Sequence, residues 1–295
     1  AVETLLPRQQ PDGGLHDAYE LPTPMATSGF IGALAAAYLA PESRFHRSPD
    51  LLARMVKAAE ALRRAQHPDG TVDLPITNFG SPPDLAFVLE PVAVTALLLR
   101  AKWSPELRPL ENLLEAFIRR GAEGLVTGGI HTPNHRWVVV GALARCHRLF
   151  RSSRLVARID QWLGEGIDLD AEGQYNERST GVYNPIPGNV LLTAGRMLDR
   201  PALFEPVRKN LEAMLWLMRP GGEVVTDISR RQDRFQRATL RNYYRAYRFL
   251  GRHDGNGRFS ALADEIERRH AAELGGELIY LLEMPELRGD PTPRE

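Results

Sequence analysis

Apolar side chains recur every third or fourth residue through most of this 295-residue chain, and that rhythm limits what it can fold into. The stretches "SGFIGALAAAYLA", "DLLARMVKAAEALRRAQ", "PDLAFVLEPVAVTALLLRAK", "LENLLEAFIRRGAEGL" and "HRWVVVGALARCHRLF" place apolar residues at i, i+3, i+4 and i+7, one face of a helix. The same pattern predicts helices at "SSRLVARIDQWLGEG", "NPIPGNVLLTAGRML", "ALFEPVRKNLEAMLWLM", "ATLRNYYRAYRFLG" and "FSALADEIERRHAAEL". Most follow Ser, Asp or Pro and end near Gly, the ordinary start and stop signals. Strand signals are scarce, so the expected class is all-α.

A turn also recurs: "QPDGGL" at Asp12, "HPDGTV" at Asp69, "VTGGIH" at Gly128, "DAEGQY" at Glu172 and "RPGGEV" at Gly221. Its spacing of about 45 to 60 residues suits a repeated helical hairpin. Each hairpin must bury a face against the next, and the closed solution is an (α/α) toroid with inner and outer helix rings. We therefore expect residues 1–295 to form a single domain, an incomplete (α/α) toroid of about five to six hairpins; an open solenoid is the alternative. With the hairpins in register, the glycine turns gather at one end and the loops after them line one mouth.

An apolar share of 43% suffices for a substantial core. Lys plus Arg and Asp plus Glu both total 37, so no global field recruits nucleic acid or an anionic membrane. An acidic ligand has to be captured locally. Cys146, the single cysteine, excludes an internal disulfide and a thiolate-rich metal site and reads as a small core residue. No apolar run approaches the roughly 20 residues of a membrane span. The chain begins at Ala1 without a secretory pattern, which leaves both a cytoplasmic location and export after loss of a leader open.

The loops of the expected mouth carry the polar candidates: Asn78 in "TNFGSPPD", Asn134 and His135 in "TPNHRW", Tyr175, Arg178 and Tyr183 in "GQYNERSTGVYNP", and Arg230, Arg231 and Arg234 in "SRRQDRF", with Tyr243 and Tyr244 following. Each has a bland reading. Thr132 or Asn134 caps a helix, Pro82 or Pro83 starts one with Asp84 in its first turn, Arg178 pairs with a carboxylate, and the arginine run is a solvated face. Against this stands the recurrence of hydrogen-bonding residues at the same offset after successive turns, which capping does not require. A histidine at a helix N-terminus also has its cationic form disfavoured, which leaves a neutral imidazole able to accept a proton.

Walker-type, G-x-G-x-x-G, H-E-x-x-H and G-x-S-x-G motifs are all missing from the sequence. Asn, His, Arg and Tyr without an obvious carboxylate pair suit β-elimination on a uronic acid. That reaction removes the proton at C5, beside the carboxylate, and expels the C4 oxygen. Donors or positive charge must neutralise the carboxylate and stabilise the enolate-like dianion, and a tyrosine near cations can accept and return the proton.

"TPNHRW" followed by "GQYNERSTGVYN" resembles the α/α-toroid polysaccharide lyases, the broad group of chondroitin AC, hyaluronate and alginate lyases and heparinase II/III-like proteins. The resemblance covers roughly residues 60 to 250 by repeat architecture. It implies that Asn134 and His135 neutralise the uronate, and that Tyr183, in a Thr-Gly-x-Tyr segment with Thr180 and Gly181, acts as acid and often as base. The histidine usual upstream of that tyrosine is not in this loop, where Gln174, Glu177 and Arg178 stand, so either His135 or Tyr183 is the base. Many such lyases carry a C-terminal β-sandwich; this sequence ends in helix and "RGDPTPRE", as the helical part of a longer protein or as a compact member.

The expected activity is thus a polysaccharide lyase acting on an anionic, uronate-containing glycan, with no cofactor required. Asn134, His135, Arg178 and Tyr183 are the catalytic candidates, and Asn78, Tyr175, Arg231, Arg234 and Tyr244 the substrate-binding ones. An α/α-toroid glycoside hydrolase using a pair from Asp73, Asp84, Glu172, Glu177 and Asp227 is the enzymatic alternative. A noncatalytic glycan-binding module is the third reading.

Overall fold

The computed structural model describes residues 2–130 and 132–288. In chain order its helices are α1 (Val2–Leu5), α2 (Pro24–Leu39), α3 (Pro49–Ala65), α4 (Pro82–Ala101), α5 (Arg108–Thr127), α6 (Pro133–Phe150), α7 (Ser153–Gly164), α8 (Pro185–Met197), α9 (Phe204–Trp216), α10 (Tyr244–His253), α11 (Gly257–His270) and α12 (Leu278–Glu283). The fold is all-α, as the periodicity predicts; a two-stranded antiparallel sheet, β1 (Val72–Leu74) with β2 (Asn78–Ser81), interrupts it. Contacts divide the described residues into two compact units. One draws on Ala1–Ile130, Arg145–Val156 and Gly275–Pro285, the other on His131–Ala144, Ala157–Leu274 and Glu286–Glu295.

In the first unit, α2 and α4 pack on each other, α3 packs on α2, and α5 packs on α4 and α3. Composition decides which helix lies inside. α2 and α4 are apolar nearly all round and bury residues such as Phe30, Ile31, Leu34, Leu85, Leu89 and Val92. α3 and α5 bury one stripe each, Leu51, Met55, Ala58, Ala59 and Leu62 in the first, and Leu110, Leu114, Phe117, Ile118 and Leu125 in the second. Each large apolar side chain so buried contributes about 1.5–3 kcal/mol. Ser48 and Ser81 cap α3 and α4, each followed by proline at the first helical position, which fixes where these helices begin.

A charged clamp lies within this core. Arg145, 1% exposed, donates to Glu90 of α4 at 2.8 Å and to Glu283 of α12. Burial alone disfavours its charge, but the two carboxylates more than offset that and raise its pKa. The neighbouring Cys146 is fully buried, and burial pushes its thiol up to about 12, in keeping with a core residue.

The second unit repeats the logic. α8 packs on α9, and α10 packs on α8, α9 and α11. Tyr247 of α10 donates to the Leu211 carbonyl of α9 at 2.9 Å and meets Phe259 of α11 edge-on at 5.2 Å.

The glycine turn is one structure used four times. In "PDGG", "PDGT", "AEGQ" and "PGGE" the amide of Gly13, Gly70, Gly173 and Gly222 donates to the carbonyl three residues earlier, at 2.8 to 3.1 Å. All four glycines have φ between +80° and +93°, which a side chain rarely tolerates. Two residues on, Leu15, Val72, Tyr175 and Val224 are each buried. The glutamines four residues before the first two glycines make the same pair of bonds: Gln9 to Gly13 and Arg54 carbonyls, Gln66 to Gly70 and Phe117 carbonyls. "VTGGIH" is not a fifth copy. Gly128 is extended at φ −74°, and its lack of a Cβ answers the close approach of the Pro82 ring instead.

Candidate active site

"GQYNERSTGVYNP" runs from the turn at Gly173 to Pro185, the first residue of α8, and docks on residues 224–243 of the same unit. Asp233, 3% exposed, organises the contact. Its Oδ2 accepts from Ser179 Oγ at 2.9 Å and from the Gly181 amide at 3.1 Å, while Oδ1 accepts from Ser229 Oγ. Thr180 donates to the Val225 carbonyl at 2.6 Å, and its own carbonyl accepts from Tyr243 Oη at 2.8 Å. Gly181 is required for proximity, since a Cβ there would come within 2.7 Å of Ala238 Cβ. The Thr-Gly-x-Tyr segment is therefore held on both sides before it delivers Tyr183.

Tyr183 is half-buried, its amide donating to Ser179 Oγ at 2.9 Å. Its hydroxyl oxygen accepts a hydrogen bond from Gln232 Nε2, which leaves the phenolic proton available to another acceptor. The Arg231 guanidinium lies 4.2 Å from its ring centroid and pairs with Glu177. Burial pushes the Glu177 carboxyl above its ordinary range. Arg231 opposes that shift, and Asp168 and Asp233 add to it.

At the start of α6, Asn134 is 4% exposed. Its Oδ1 accepts from Thr132 Oγ1 at 2.9 Å, and its buried Nδ2 has no hydrogen-bond partner among the described residues. His135 is half-buried, with its amide on the Thr132 carbonyl at 3.1 Å. Next in the chain, Arg136 pairs with Glu165 at 2.8 Å and Asp168 at 3.3 Å, and Trp137 Nε1 donates to Asp168 Oδ1 at 3.0 Å. Asp168 is close enough to Glu177 and Tyr175 to raise both of their pKa values. The Asp168 carbonyl also accepts from the Asn176 amide at 3.0 Å, which ties the start of α6 to the beginning of the loop that carries Tyr183.

The other expected site residues are placed differently. Arg178, in the left-handed region at φ +47°, pairs with Asp170 at 2.6 Å and Glu172 at 3.1 Å, the carboxylate pairing of its bland reading. Tyr175 is 3% exposed and fills the core position of the repeated turn. Burial, with help from Asp168, raises its pKa. Tyr244 is also buried and donates to Glu267 of α11 at 2.9 Å; Tyr243 is the one that reaches the Thr-Gly-x-Tyr segment. In the first unit, Asn78 donates to Asp84 Oδ2 at 3.1 Å, and Ser81 holds the same carboxylate. Arg234 is exposed, with Nε on the Asp227 carbonyl at 3.2 Å.

Among the carboxylates weighed for hydrolysis, Asp73 accepts from His67 and the Gly80 amide, Glu172 and Glu177 hold arginines, and Asp227 lies 3.5 Å from Arg219. Sequence reasoning missed Asp168, Gln232 and Asp233. Their only signal is a polar stretch without helical period, and their roles arise when two loops meet.

Among the described residues no group of three or more His, Cys, Asp or Glu is arranged to hold a metal ion, and no helix is long and apolar enough to cross a membrane. A cavity of about 430 Å³ is lined by residues including Tyr38, His46, Lys102 and Trp103, and another of about 350 Å³ by residues including Met218, Leu240, Ile266 and His270. Neither lining includes Asn134 or Tyr183. No protein-family profile and no curated protein matches the sequence. Among solved structures, the crystal structure of a sugar epimerase from a ruminal bacterium matches with a TM-score of 0.58 at 12% identity, over 89% of this chain and 81% of that one. The two chains are alike in their helical fold.

Proposed function

We propose that this chain is a carbohydrate-active enzyme that cleaves a uronate-containing glycan by β-elimination. The observation that carries the reading is the setting of Tyr183. Its oxygen accepts from Gln232, a guanidinium covers its ring, and its proton is left available. In the proposed step a base takes the C5 proton, the electron pair forms the C4–C5 double bond, and the C4–O bond breaks. Tyr183 gives its proton to the departing oxygen. Tyr183 also serves as the base when it is first deprotonated, and His135 is the alternative base. Asn134 supplies the buried Nδ2 donor that the uronate carboxylate needs. The Gln232 amide donates to the oxygen from which the proton leaves.

The test is to incubate the protein with uronate polymers and follow the ultraviolet absorbance of the unsaturated product. Tyr183→Phe and Asn134→Ala should each lower kcat by about 10²-fold or more while circular dichroism stays unchanged. Near-normal turnover by Tyr183→Phe would sink the mechanism. New reducing ends without absorbance would indicate hydrolysis.

A second reading is favoured by the fold shared with a sugar epimerase. Epimerisation can also begin by removing a carbon-bound proton, but returns it to the other face with no bond to a leaving group broken. Deuterium uptake from solvent into an uncleaved sugar, lost in Tyr183→Phe, would favour that reading.

A further inference from the structure

Phe235 stands out in the segment that carries Arg231 and Gln232. Its backbone is left-handed at φ +63°, a conformation that carries a steric cost for a bulky residue. Its ring is 71% exposed, so burial returns little of that cost. The conformation is imposed from both sides. The Arg234 amide donates to the Arg231 carbonyl at 3.1 Å, the Gln236 amide to the Asp233 carbonyl at 3.0 Å, and Thr226 Oγ1 to the Gln236 carbonyl at 2.7 Å. Glycine or asparagine would meet the turn's needs with less strain. Folding accounts for the turn but not for a phenylalanine in it.

The location supplies a reason. Asp233 anchors the turn to the Thr-Gly-x-Tyr segment, and Gln232, three residues before Phe235, bonds to the Tyr183 oxygen. Three residues span at most about 10 Å, so the exposed ring lies within reach of a sugar next to one held at Tyr183. The Arg234 guanidinium sits 4.8 Å from the Phe235 ring centroid, and no carboxylate pairs with it among the described residues. An aromatic face beside an arginine is a surface for the apolar C–H face of a pyranose that carries a carboxylate.

We propose that Phe235 is a substrate-positioning platform, its ring stacking on a uronate residue adjacent to the reacting one while Arg234 pairs with that residue's carboxylate. The proposal rests on the Tyr183 reading for the location of the reacting sugar. Binding, however, can be measured without turnover.

Hexasaccharides of hyaluronan and of alginate are titrated by calorimetry into the Tyr183→Phe protein, with and without changes at Phe235. In the same background, Phe235→Ala and Phe235→Gly should each weaken binding of the recognised oligosaccharide about tenfold. Phe235→Tyr should bind within twofold of the parent. Phe235→Gly should also raise Tm by relieving the left-handed strain, separating lost stacking from lost stability. In the otherwise native enzyme, Phe235→Ala should raise KM with kcat within twofold. Unchanged affinity in Phe235→Ala and Phe235→Gly, failure of Phe235→Tyr to restore binding, or no binding of either oligosaccharide by the parent would overturn the platform. If the native enzyme yields no unsaturated product while Phe235→Ala still weakens binding, the elimination reading falls and the platform stands.

Discussion

Glu177 is the counter-charge that fixes Arg231 over the Tyr183 ring, and its own environment resists ionisation. Because burial raises its folded-state pKa, acidification protonates it at a higher pH than an ordinary glutamate, and the hold on Arg231 weakens there. Turnover should show an acid limb above the usual carboxylate range. Glu177→Gln should remove that limb and lower kcat about tenfold, near 1.4 kcal/mol in the barrier. Stability runs the other way. A carboxyl with a raised folded pKa contributes stability that is fully present below its unfolded pKa and is lost as pH rises through the folded value. Glu177→Gln should therefore melt no lower than the native protein at pH 7, and an acid limb that survived the substitution would rule out the positioning role. Tyr183 can be proposed from the sequence because Thr-Gly-x-Tyr is a local pattern. Asp233 and Gln232 were not, because each acts on a residue about fifty positions away that only the docked loops bring near.

At the scale of elements, the sequence makes the helices plain for a physical reason: whether apolar residues ring a helix or line one stripe decides whether it lies inside, like α2 and α4, or outside, like α3 and α5. The β1–β2 pair is not marked in the sequence because its strands are short, with Phe79 of β2 and Ile76 of the intervening turn exposed, so no alternation appears. "VTGGIH" has a glycine pair at the spacing of the other turns but not their backbone, since Gly128 serves a close approach to proline. The true copies separate backbone strain from proximity. Gly13 and Gly222 share a φ near +88°, at +89° and +87°, yet a Cβ at Gly13 would lie 2.5 Å from the Lys57 carbonyl of α3, and one at Gly222 meets nothing closer than 3.6 Å. Gly222→Ala should cost the left-handed penalty alone, about 1–2 kcal/mol, and Gly13→Ala about 1–3 kcal/mol more. Equal losses in denaturant unfolding would mean that the helix carbonyl does not constrain the turn.

For the molecule as a whole, charge balance bears on how the proposed anionic glycan would be captured. With 37 cationic and 37 acidic side chains, formal net charge is zero, and most arginines near the candidate site are already paired, Arg136 with Asp168, Arg178 with Asp170 and Arg231 with Glu177. A polyanion approaching this surface meets no long-range attraction, so recognition has to come from short contacts such as those proposed for Asn134, Phe235 and Arg234. Contacts made within a few ångströms are screened far less than attraction across a Debye length, about 10 Å at 0.1 M salt. On the proposed uronate glycan, kcat/KM of the native protein should fall less than about tenfold between roughly 0.05 and 0.5 M sodium chloride, the change lying in KM. Arg234→Gln should raise KM at low salt and flatten what dependence remains. A fall of about a hundredfold or more, as when many phosphate-like contacts release counterions together, would mean that an extended basic surface captures the substrate and that the local account is wrong.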